Sequence, residues 1–455
     1  YAYFKMKFFL KNHHKNDYYI IISLILINIL IRLILFNYIP DDNNYNFNND
    51  QSKYWRLSDY LISGRFFDYG WDISRLPIYP IFLAFLRELN DSVQFILIIQ
   101  NILFIISLTF FFKIYKEIFN DKNSIYLAFF LTCINLNLIF ASNVILTESL
   151  FIIFSTLFIY FMIKYLKEDN NIKYLLISTI ILALCYYTRP IAYYYVFIGI
   201  IIFFKKQKFK YALRDVSIFF IIFSIFTSLW SFKNLRYHNN FSFNSTNGVF
   251  IGYYLPYLDQ YKFGLNLNDA KEFRYKEYNE YLKQKKLLNL KNVPFALDKI
   301  EREYFYSELK EFQLSHFFKL FIVGTAKNLF SPTIVEFSYF YDIKKTNLSS
   351  IQSEDIFKKF EIYIFKNENK IFSNLLILSL VIYVIKYLIS IYGLKIINRK
   401  NLEIFIFFGL FIAINLILTA PFGSARYRLP LEIIIIIFLT SGIINILKYF
   451  KLLND

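Results

Sequence analysis

Long apolar runs separated by short polar segments dominate the chain. Residues 18–38, for example, are almost wholly apolar, and they are long enough to cross the ~30 Å hydrocarbon core of a bilayer as a helix. The pattern predicts an all-α polytopic membrane protein with about ten transmembrane helices. The predicted spans are residues 18–38, 91–112, 123–140, 146–163, 174–187, 190–204, 215–232, 372–390, 402–420 and 430–447.

The connections between these spans alternate in charge. One set is short and rich in lysine and arginine, as in residues 113–122, 164–173, 205–214 and 395–400, and the N-terminal lysines belong with it. By the positive-inside rule this set is cytoplasmic, so both termini are predicted to be cytoplasmic. The other connections, chiefly 39–90 and 233–371, are then predicted to be external. We expect a multi-pass protein of the cell (inner) membrane.

The alternation suggests three regions. Residues 1–232 form an N-terminal transmembrane module, 233–371 an external, periplasmic-side loop region, and 372–455 the C-terminal transmembrane helices. The first external loop, 39–90, and the later loop contain amphipathic segments that are too short or too charged to span, and these are predicted to be juxtamembrane or interfacial helices. They are Gln51–Ser63, Ile78–Leu89 and His316–Phe330.

Composition excludes most other classes. With 56% apolar and 19% charged residues, the chain is far from the average soluble protein. The net charge of +17 is explained by the topology, so we predict no nucleic-acid partner. Cys133 and Cys185 both fall within apolar runs, which argues against a disulfide or a metal knuckle. The lipid bilayer itself is the first expected partner.

The informative polar residues are those at membrane level on the external side. They are Asp50, Arg75, Glu148, Arg189, Arg426 and Arg428. Each alone has an ordinary explanation: an arginine can anchor the interface, and a carboxylate can complement a helix N-terminus. Arg32, in the outer third of the first span, is expected to snorkel to the interface. All six residues are predicted to lie at the same depth, at the external boundary of the membrane. This favours a polar site that faces outward, and it leaves the chemistry of that site open.

Several strings in the chain resemble a known family. Asp50-x3-Tyr54 is followed by Arg75-Leu76-Pro77-Ile78-Tyr79-Pro80 in the first external loop. Further strings follow in family order: Leu146-Thr147-Glu148, Thr188-Arg189-Pro190, Trp230-Ser231-Phe232-Lys233-Asn234 with Ser245-Thr246-Asn247-Gly248, and Arg426-Tyr427-Arg428-Leu429-Pro430. Together they resemble GT-C fold membrane glycosyltransferases, in the bacterial branch similar to family 39 protein O-mannosyltransferases and aminoarabinose transferases. Leu76, Lys233 and Val249 depart from the pattern, where Pro, Arg and Gly are usual.

The resemblance implies an enzyme that moves a sugar from a polyprenyl-phosphate-linked donor to an unknown acceptor at the external face, with inversion. It implies Asp50 as the catalytic carboxylate, although Asp41 and Asp42 on the same loop are rivals. The implied donor-phosphate-binding residues are Arg426, Arg428, Arg189 and Arg75, and the implied substrate-binding or orienting residues are Glu148, Tyr54, Tyr79 and Asn234. No cofactor is certain, and a divalent metal stays open.

A second class of function also suits ten spans. A lipid-linked-sugar flippase or another transporter, or a non-catalytic relative that binds the carrier lipid, would have the same overall topology. Transporters place their binding residues near the midplane, often in repeated halves. This chain has no evident repeat and few charges at the centres of its predicted spans, which favours the enzyme.

Overall fold

The structure is a computed structural model that describes residues 15–39, 45, 47, 49–68, 70–168, 171–205, 208–245, 248–293, 295–332, 335, 351, 356–367, 369–397 and 401–450. In these residues the chain is helical and contains no β-strand. The membrane-protein fold class predicted from the apolar runs is therefore confirmed.

The helices fall into three groups along the chain. The first group is α1 (Lys15–Phe36), α2 (Asn49–Ile62), α3 (Ile78–Leu89), α4 (Val93–Ile118), α5 (Lys122–Cys133), α6 (Leu136–Ala141), α7 (Glu148–Lys167), α8 (Ile172–Thr188), the 3-10 helix Pro190–Phe204 and α9 (Phe209–His238). The second group, between α9 and the last spans, is α10 (Leu255–Phe263), α11 (Leu267–Gln284), α12 (Ala296–Glu308), α13 (Leu314–Phe330) and α14 (Ile356–Phe365). The last group is α15 (Lys370–Tyr392), α16 (Leu402–Thr419), the 3-10 helix Ala425–Leu431 and α17 (Glu432–Tyr449).

Seven helical segments of the described chain are long and apolar enough to cross a membrane. Six of them correspond to α1, α4, α7, α9, α15 and α16, and the seventh consists of the 3-10 helix Ala425–Leu431 together with α17. Two shorter apolar helices, α8 and the 3-10 helix Pro190–Phe204, coincide with the predicted spans 174–187 and 190–204. The 3-10 helix rises about 2 Å per residue, so its 15 residues extend about 30 Å, which matches the hydrocarbon thickness.

One predicted span is broken. Residues 123–140 do not form a continuous helix, because α5 ends at Cys133 and α6 begins at Leu136. The side chain of Asn135 accepts hydrogen bonds from the backbone N–H groups of Asn137 and Leu138 and so caps the start of α6. An apolar run alone could not reveal this break, since the two flanking helices are themselves largely apolar.

Glycines allow the last helices to approach closely. A Cβ on Gly442 of α17 would lie 2.0 Å from the backbone oxygen of Ile389, and one on Gly393 would lie 1.8 Å from that of Phe438. Small residues of this kind let membrane helices pack backbone to backbone.

Gly442→Leu should therefore lower the free energy of unfolding by about 2–3 kcal/mol, because the larger side chain forces α17 away from α15. Gly409→Ala in α16 is the matched control. A Cβ there meets nothing within 4 Å, and alanine is the better helix former, so stability should hold or rise slightly. Thermal unfolding of both variants in one detergent checks the difference. Equal stability of the Gly442→Leu variant and the wild type would contradict the close packing.

The second group of helices has its own apolar core. Buried side chains from α10 to α13 pack together, among them Leu258, Leu282, Tyr304 and Leu320. An ionic group is buried beside this core, where Arg274 bonds Asp259 at 2.5 Å and also contacts Glu308. A charged group buried this way is tolerated because each partner is hydrogen-bonded as well as paired.

Helix α13 docks its C-terminal half onto the connection that leads into α17. Gly324 lies against the backbone of Ala420, and the side chain of Asn328 donates to the Thr419 hydroxyl at 2.8 Å and accepts from the Ser424 N–H at 2.8 Å. The same docking encloses Lys327, whose stem packs on Gly423 and whose ammonium lies over the ring of Tyr257.

Burial lowers the pKa of Lys327 from 10.5 to about 8, and this gives a pH dependence. Between these two values the unfolded chain holds a proton that the folded chain has lost, so stability rises as the pH rises from 8 to 10.5. Lys327→Met should remove that rise and stabilise the protein at pH 7 by about 3 kcal/mol. Thermal midpoints measured across this pH range test it, with the exposed Lys319→Met on the same helix as the control. An unchanged pH profile in Lys327→Met would refute the assignment.

Candidate active site

Asp50 lies in the first turn of α2, where the partial positive charge of a helix N-terminus favours a carboxylate. The helix is amphipathic and buries Leu57 and Leu61 against the bundle, which fixes its orientation. Asp50 Oδ1 accepts from Arg75 Nη2 at 2.7 Å, and its Oδ2 lies 3.7 Å from Arg426 Nη1. One carboxylate is thus held between arginines from two distant parts of the chain.

Arg75 is supported by aromatic side chains. Its guanidinium lies 5.1 Å from the ring centroid of Tyr54 and its Nη1 donates to the Tyr54 hydroxyl at 3.3 Å. Tyr54 in turn packs edge-on against Tyr79, whose hydroxyl donates to Gln100 Oε1 at 2.9 Å. Tyr54 and Tyr79 therefore lie behind Arg75, where they fix its position.

Glu148 is the second carboxylate of the site. It opens α7 and its side chain is only 2% exposed. Its Oε1 accepts from Arg426 Nε at 2.5 Å and lies 3.1 Å from Arg189 Nη1. The Arg189 guanidinium also lies over the rings of Phe151 and Tyr427, at 5.4 and 5.6 Å from their centroids.

The turn before Glu148 is fixed by polar side chains from neighbouring helices. Gln100 donates to the carbonyls of Ser142 and Val144, and Asn101 also donates to the carbonyl of Ser142. Arg32 contacts the Ser142 hydroxyl and Asn101 from α1. Arg32 is 3% exposed, so the expectation that it snorkels to the interface is wrong. Sequence alone could not show that Asn101 of α4 and Ser142 at the end of α6 offer amide and hydroxyl partners to the arginine of α1.

Five charged side chains therefore form one alternating series, which we call the ion cluster: Arg75, Asp50, Arg426, Glu148 and Arg189. Three cations face two carboxylates, so the cluster has a net charge of +1. Asp50 is 39% exposed, whereas Glu148 is 2% exposed. Glu148 is thus placed to hold arginines, and Asp50 is the carboxylate that a substrate can reach.

The charge states of the cluster follow from its contacts. Burial alone would lower the pKa of Arg75, but Tyr54 and Asp50 reverse this and hold its pKa above the ordinary value. Burial raises the pKa of Tyr54, so its hydroxyl stays protonated. Arg75 is therefore a permanent cation in the site.

Two residues singled out in the sequence do not join the ion cluster. Arg428 is fully buried, donates to Glu432 at 2.9 Å, and also donates to backbone carbonyls at the end of α13. Asn234 is buried as well, and its Nδ2 donates to the Ser242 carbonyl at 2.7 Å. Both residues have the environment of internal polar side chains.

Sequence analysis did not predict that Arg428 and its partner Glu432 belong to a buried polar group with side chains from other helices. Glu432 also accepts from Lys386 at 2.7 Å, from Asn137 at 2.8 Å and from Asn135 at 3.0 Å. Lys386 was the available signal, because a lysine inside the predicted span 372–390 needs an internal partner.

Some candidate residues lie outside the part of the chain that the structure describes. These are Asp41, Asp42, Thr246 and Asn247. Among the described residues, no group of three or more His, Cys, Asp or Glu side chains could hold a metal ion.

Residues 74–231 match the family model described as dolichyl-phosphate-mannose-protein mannosyltransferase. This stretch includes Arg75, Glu148 and Arg189, whereas Asp50 and Arg426 lie outside it. No curated protein sequence matches the chain significantly.

The fold is similar to that of an archaeal oligosaccharyltransferase from Archaeoglobus fulgidus. One structure is the apo form, with a TM-score of 0.52, 10% identity and coverage of 95% of this chain and 51% of that chain. Another is AglB in complex with an inhibitory peptide and a dolichol-phosphate, with a TM-score of 0.52, 10% identity and coverage of 96% and 52%. The chain thus spans about half the length of these proteins.

The family match over residues 74–231 and the shared fold together show that the chain resembles membrane glycosyltransferases of the GT-C class. This is the class that the sequence strings resemble, and the expectation is confirmed at that level.

Proposed function

We propose that this chain transfers a sugar from a polyprenyl-phosphate-linked donor to an acceptor hydroxyl at the external face of the membrane. The observation that carries the proposal is the ion cluster, in which an exposed carboxylate lies beside arginines and the total charge is +1. The dolichol-phosphate bound in the similar AglB structure supports a carrier lipid as the class of donor. The alternation of basic connections supports the external side.

The arginines of the ion cluster are placed to stabilise the leaving group, which is the polyprenyl phosphate. Transfer breaks the bond between the sugar C1 and the phosphate oxygen, and the polyprenyl phosphate departs with that electron pair. Cations fixed around those oxygens stabilise the charge as it develops. A planar guanidinium grips phosphate oxygens in pairs, which favours Arg426 and Arg189, with Arg75, in this role. We leave Arg428 out of this role, because its donors already bond groups inside the bundle.

Asp50 is placed to act as the base that activates the nucleophile, which is the acceptor hydroxyl. The acceptor hydroxyl attacks C1, and its proton passes to the Asp50 carboxylate as the new bond forms. Arg75 and Arg426 hold that carboxylate in place. A single displacement with no covalent enzyme intermediate inverts the configuration at C1.

Proteoliposomes supplied with a panel of polyprenyl-phosphate sugars test the function. Release of free polyprenyl phosphate, together with a glycosylated acceptor, is the expected result. Binding of the carrier lipid without release from any donor would contradict it and would point to a flippase or a carrier-binding protein.

Arg426→Gln should raise the KM for the donor about 10–100-fold, since a hydrogen bond to a charged group contributes about 1.5–3 kcal/mol. The exposed Arg56→Gln on α2 is the control and should keep the wild-type KM. Initial rates across donor concentrations measure both variants. A normal donor KM in Arg426→Gln would mean that Arg426 only organises Glu148.

A further inference from the structure

A buried carboxylate of α12 binds the backbone that follows α9. Glu301 is 1% exposed, and it accepts from the backbone N–H groups of Gly248, Phe250 and Ile251 at 2.6, 2.9 and 3.2 Å. The three N–H groups converge on the carboxylate and stabilise it, as in an anion-binding nest of backbone amides. Removing the carboxylate would leave these three donors without their acceptor.

The backbone that Glu301 binds has an uncommon conformation. Gly248 has a φ of +82°, which residues with a side chain rarely adopt, and Phe250–Tyr254 form one turn of π-helix. Asp298, also on α12 and 7% exposed, accepts from the Ser245 hydroxyl at 2.7 Å. We call Ser245 and residues 248–254 the bridging segment. Two carboxylates of α12 therefore hold its conformation.

The beginning of the bridging segment lies against the loop that carries Arg75. The Ser245 N–H donates to the backbone carbonyl of Ile73 at 3.2 Å. In the same loop, the Trp71 indole N–H donates to the backbone carbonyl of Arg75 at 2.9 Å. A shift of the bridging segment would therefore pull on the loop from which Arg75 reaches Asp50.

The end of the bridging segment lies against the connection that carries Arg426. The rings of Tyr253 and Tyr254 pack on Phe422, at centroid distances of 5.7 and 5.5 Å. Phe422 packs in turn on Tyr427, at 6.1 Å. Tyr427 directly follows Arg426 in the 3-10 helix that leads into α17. These aromatic contacts couple the bridging segment to the second arginine beside Asp50.

The bridging segment thus touches both parts of the chain that hold the Asp50 carboxylate. Arg75 Nη2 lies 2.7 Å from one carboxylate oxygen, and Arg426 Nη1 lies 3.7 Å from the other. The two arginines are far apart in the sequence, so their spacing depends on contacts between distant segments. Reaction rates are sensitive to such spacing, since a displacement of about 1 Å in a reacting group can cost about 10²-fold.

We propose that Glu301 is a positioning residue for the ion cluster, which acts through the bridging segment to keep Arg75 and Arg426 on the two sides of Asp50. Glu301 bonds the bridging segment and not the cluster, so its effect on transfer is indirect. The proposal deepens the proposed function, and its consequence for turnover rests on that function. It also makes the helices α10–α13 part of the machinery that sets the geometry of the site.

Hydrogen exchange of the full chain in nanodiscs tests the coupling without any substrate. Two amides report the two sides: the Arg75 N–H, which donates to the Asp72 carbonyl, and the Tyr427 N–H, which donates to the Ser424 carbonyl. Glu301→Gln replaces one acceptor oxygen by an NH₂ group that cannot accept. We expect exchange to become about tenfold faster at both reporter amides as well as in the bridging segment.

Two further variants separate positioning from a general loss of structure. Glu303→Gln, on the same helix and 58% exposed, should leave exchange at both reporter amides unchanged. Glu301→Asp keeps the charge and therefore the fold, but it is one methylene shorter, so it should speed exchange at the same two amides by a smaller factor. The proposal is overturned if Glu301→Gln and Glu301→Asp speed exchange in the bridging segment alone.

Transfer gives a second readout, through a double-mutant cycle with Asp50. Glu301→Gln should lower turnover about tenfold in the wild-type background, and by less than about twofold in Asp50→Asn, which has no base left to position. Loss of folded protein would instead lower turnover by the same factor in both backgrounds. Equal factors therefore overturn the positioning role.

The two readouts distinguish this proposal from the proposed function. If the wild type releases no polyprenyl phosphate from any donor, the transferase is refuted, and exchange at the two reporter amides still decides whether Glu301 positions the cluster. If the wild type does release it and Glu301→Gln has the same effect with and without Asp50, the transferase is retained and the positioning role is refuted.

Discussion

Asp50→Asn should reduce the turnover of sugar transfer by about 10²–10⁴-fold, because the amide cannot take the proton of the acceptor hydroxyl. The protein should still fold, since Asp50 is 39% exposed and asparagine can keep one hydrogen bond with Arg75. Donor KM should change far less than turnover, because the arginines that would bind phosphate stay in place. Release of polyprenyl phosphate at saturating donor measures the effect.

Asp59→Asn is the matched control for this substitution. Asp59 lies on the same helix, is 53% exposed and pairs with Arg87, away from the ion cluster. Its replacement should leave turnover within about twofold of the wild type, because Arg87 keeps its ion pair with Asp91. Full activity of Asp50→Asn, with activity lost in Asp41→Asn or Asp42→Asn, would show that a different carboxylate of the same loop is the base.

Much of the fold could be predicted from hydropathy, because bilayer thickness fixes how long an apolar helix must be. Nine of the ten predicted spans correspond to an apolar helix, and the predicted amphipathic helix Ile78–Leu89 has those bounds in the structure. The failure at 123–140 has a local cause, the capping by Asn135. Hydropathy indicates which residues lie in the membrane, but it does not show where a side chain such as that of Asn135 caps a new helix.

The candidate site could be predicted in part. Asp50, Arg75, Glu148, Arg189 and Arg426 all meet, although they come from four distant parts of the sequence. The charged residues at membrane level therefore predicted that a cluster of charges forms, and five of the six lie in it, whereas Arg428 does not.

Arg426 and Arg428 show why the assignment of individual residues could not be completed. They lie two residues apart in the 3-10 helix Ala425–Leu431. With three residues per turn, side chains two apart point in directions about 120° apart. One arginine therefore faces Asp50 and Glu148, and the other faces Glu432 and the end of α13. A sequence string gives the spacing but not the helix type that sets these directions.

The buried partner of Arg428 gives the second large expected effect. Glu432→Gln should lower the free energy of unfolding by about 3–5 kcal/mol, because it leaves Arg428 and Lys386 as buried cations without a counter-charge. Glu432 and Arg428 are both 0% exposed, so water cannot compensate. Thermal unfolding in detergent measures the loss, and the donor KM of the folded fraction should stay at the wild-type value.

A double variant separates charge balance from any direct role in binding. Adding Lys386→Met to Glu432→Gln restores the wild-type net charge of this buried group, +1, and should recover part of the lost stability. No recovery would mean that the hydrogen bonds from Asn135 and Asn137 to Glu432 dominate instead of the charge. A raised donor KM in a stable Glu432→Gln variant would return Arg428 to the substrate site. The expected outcome assigns the two arginines opposite tasks: Arg426 acts on the substrate, and Arg428 joins α13 to α17.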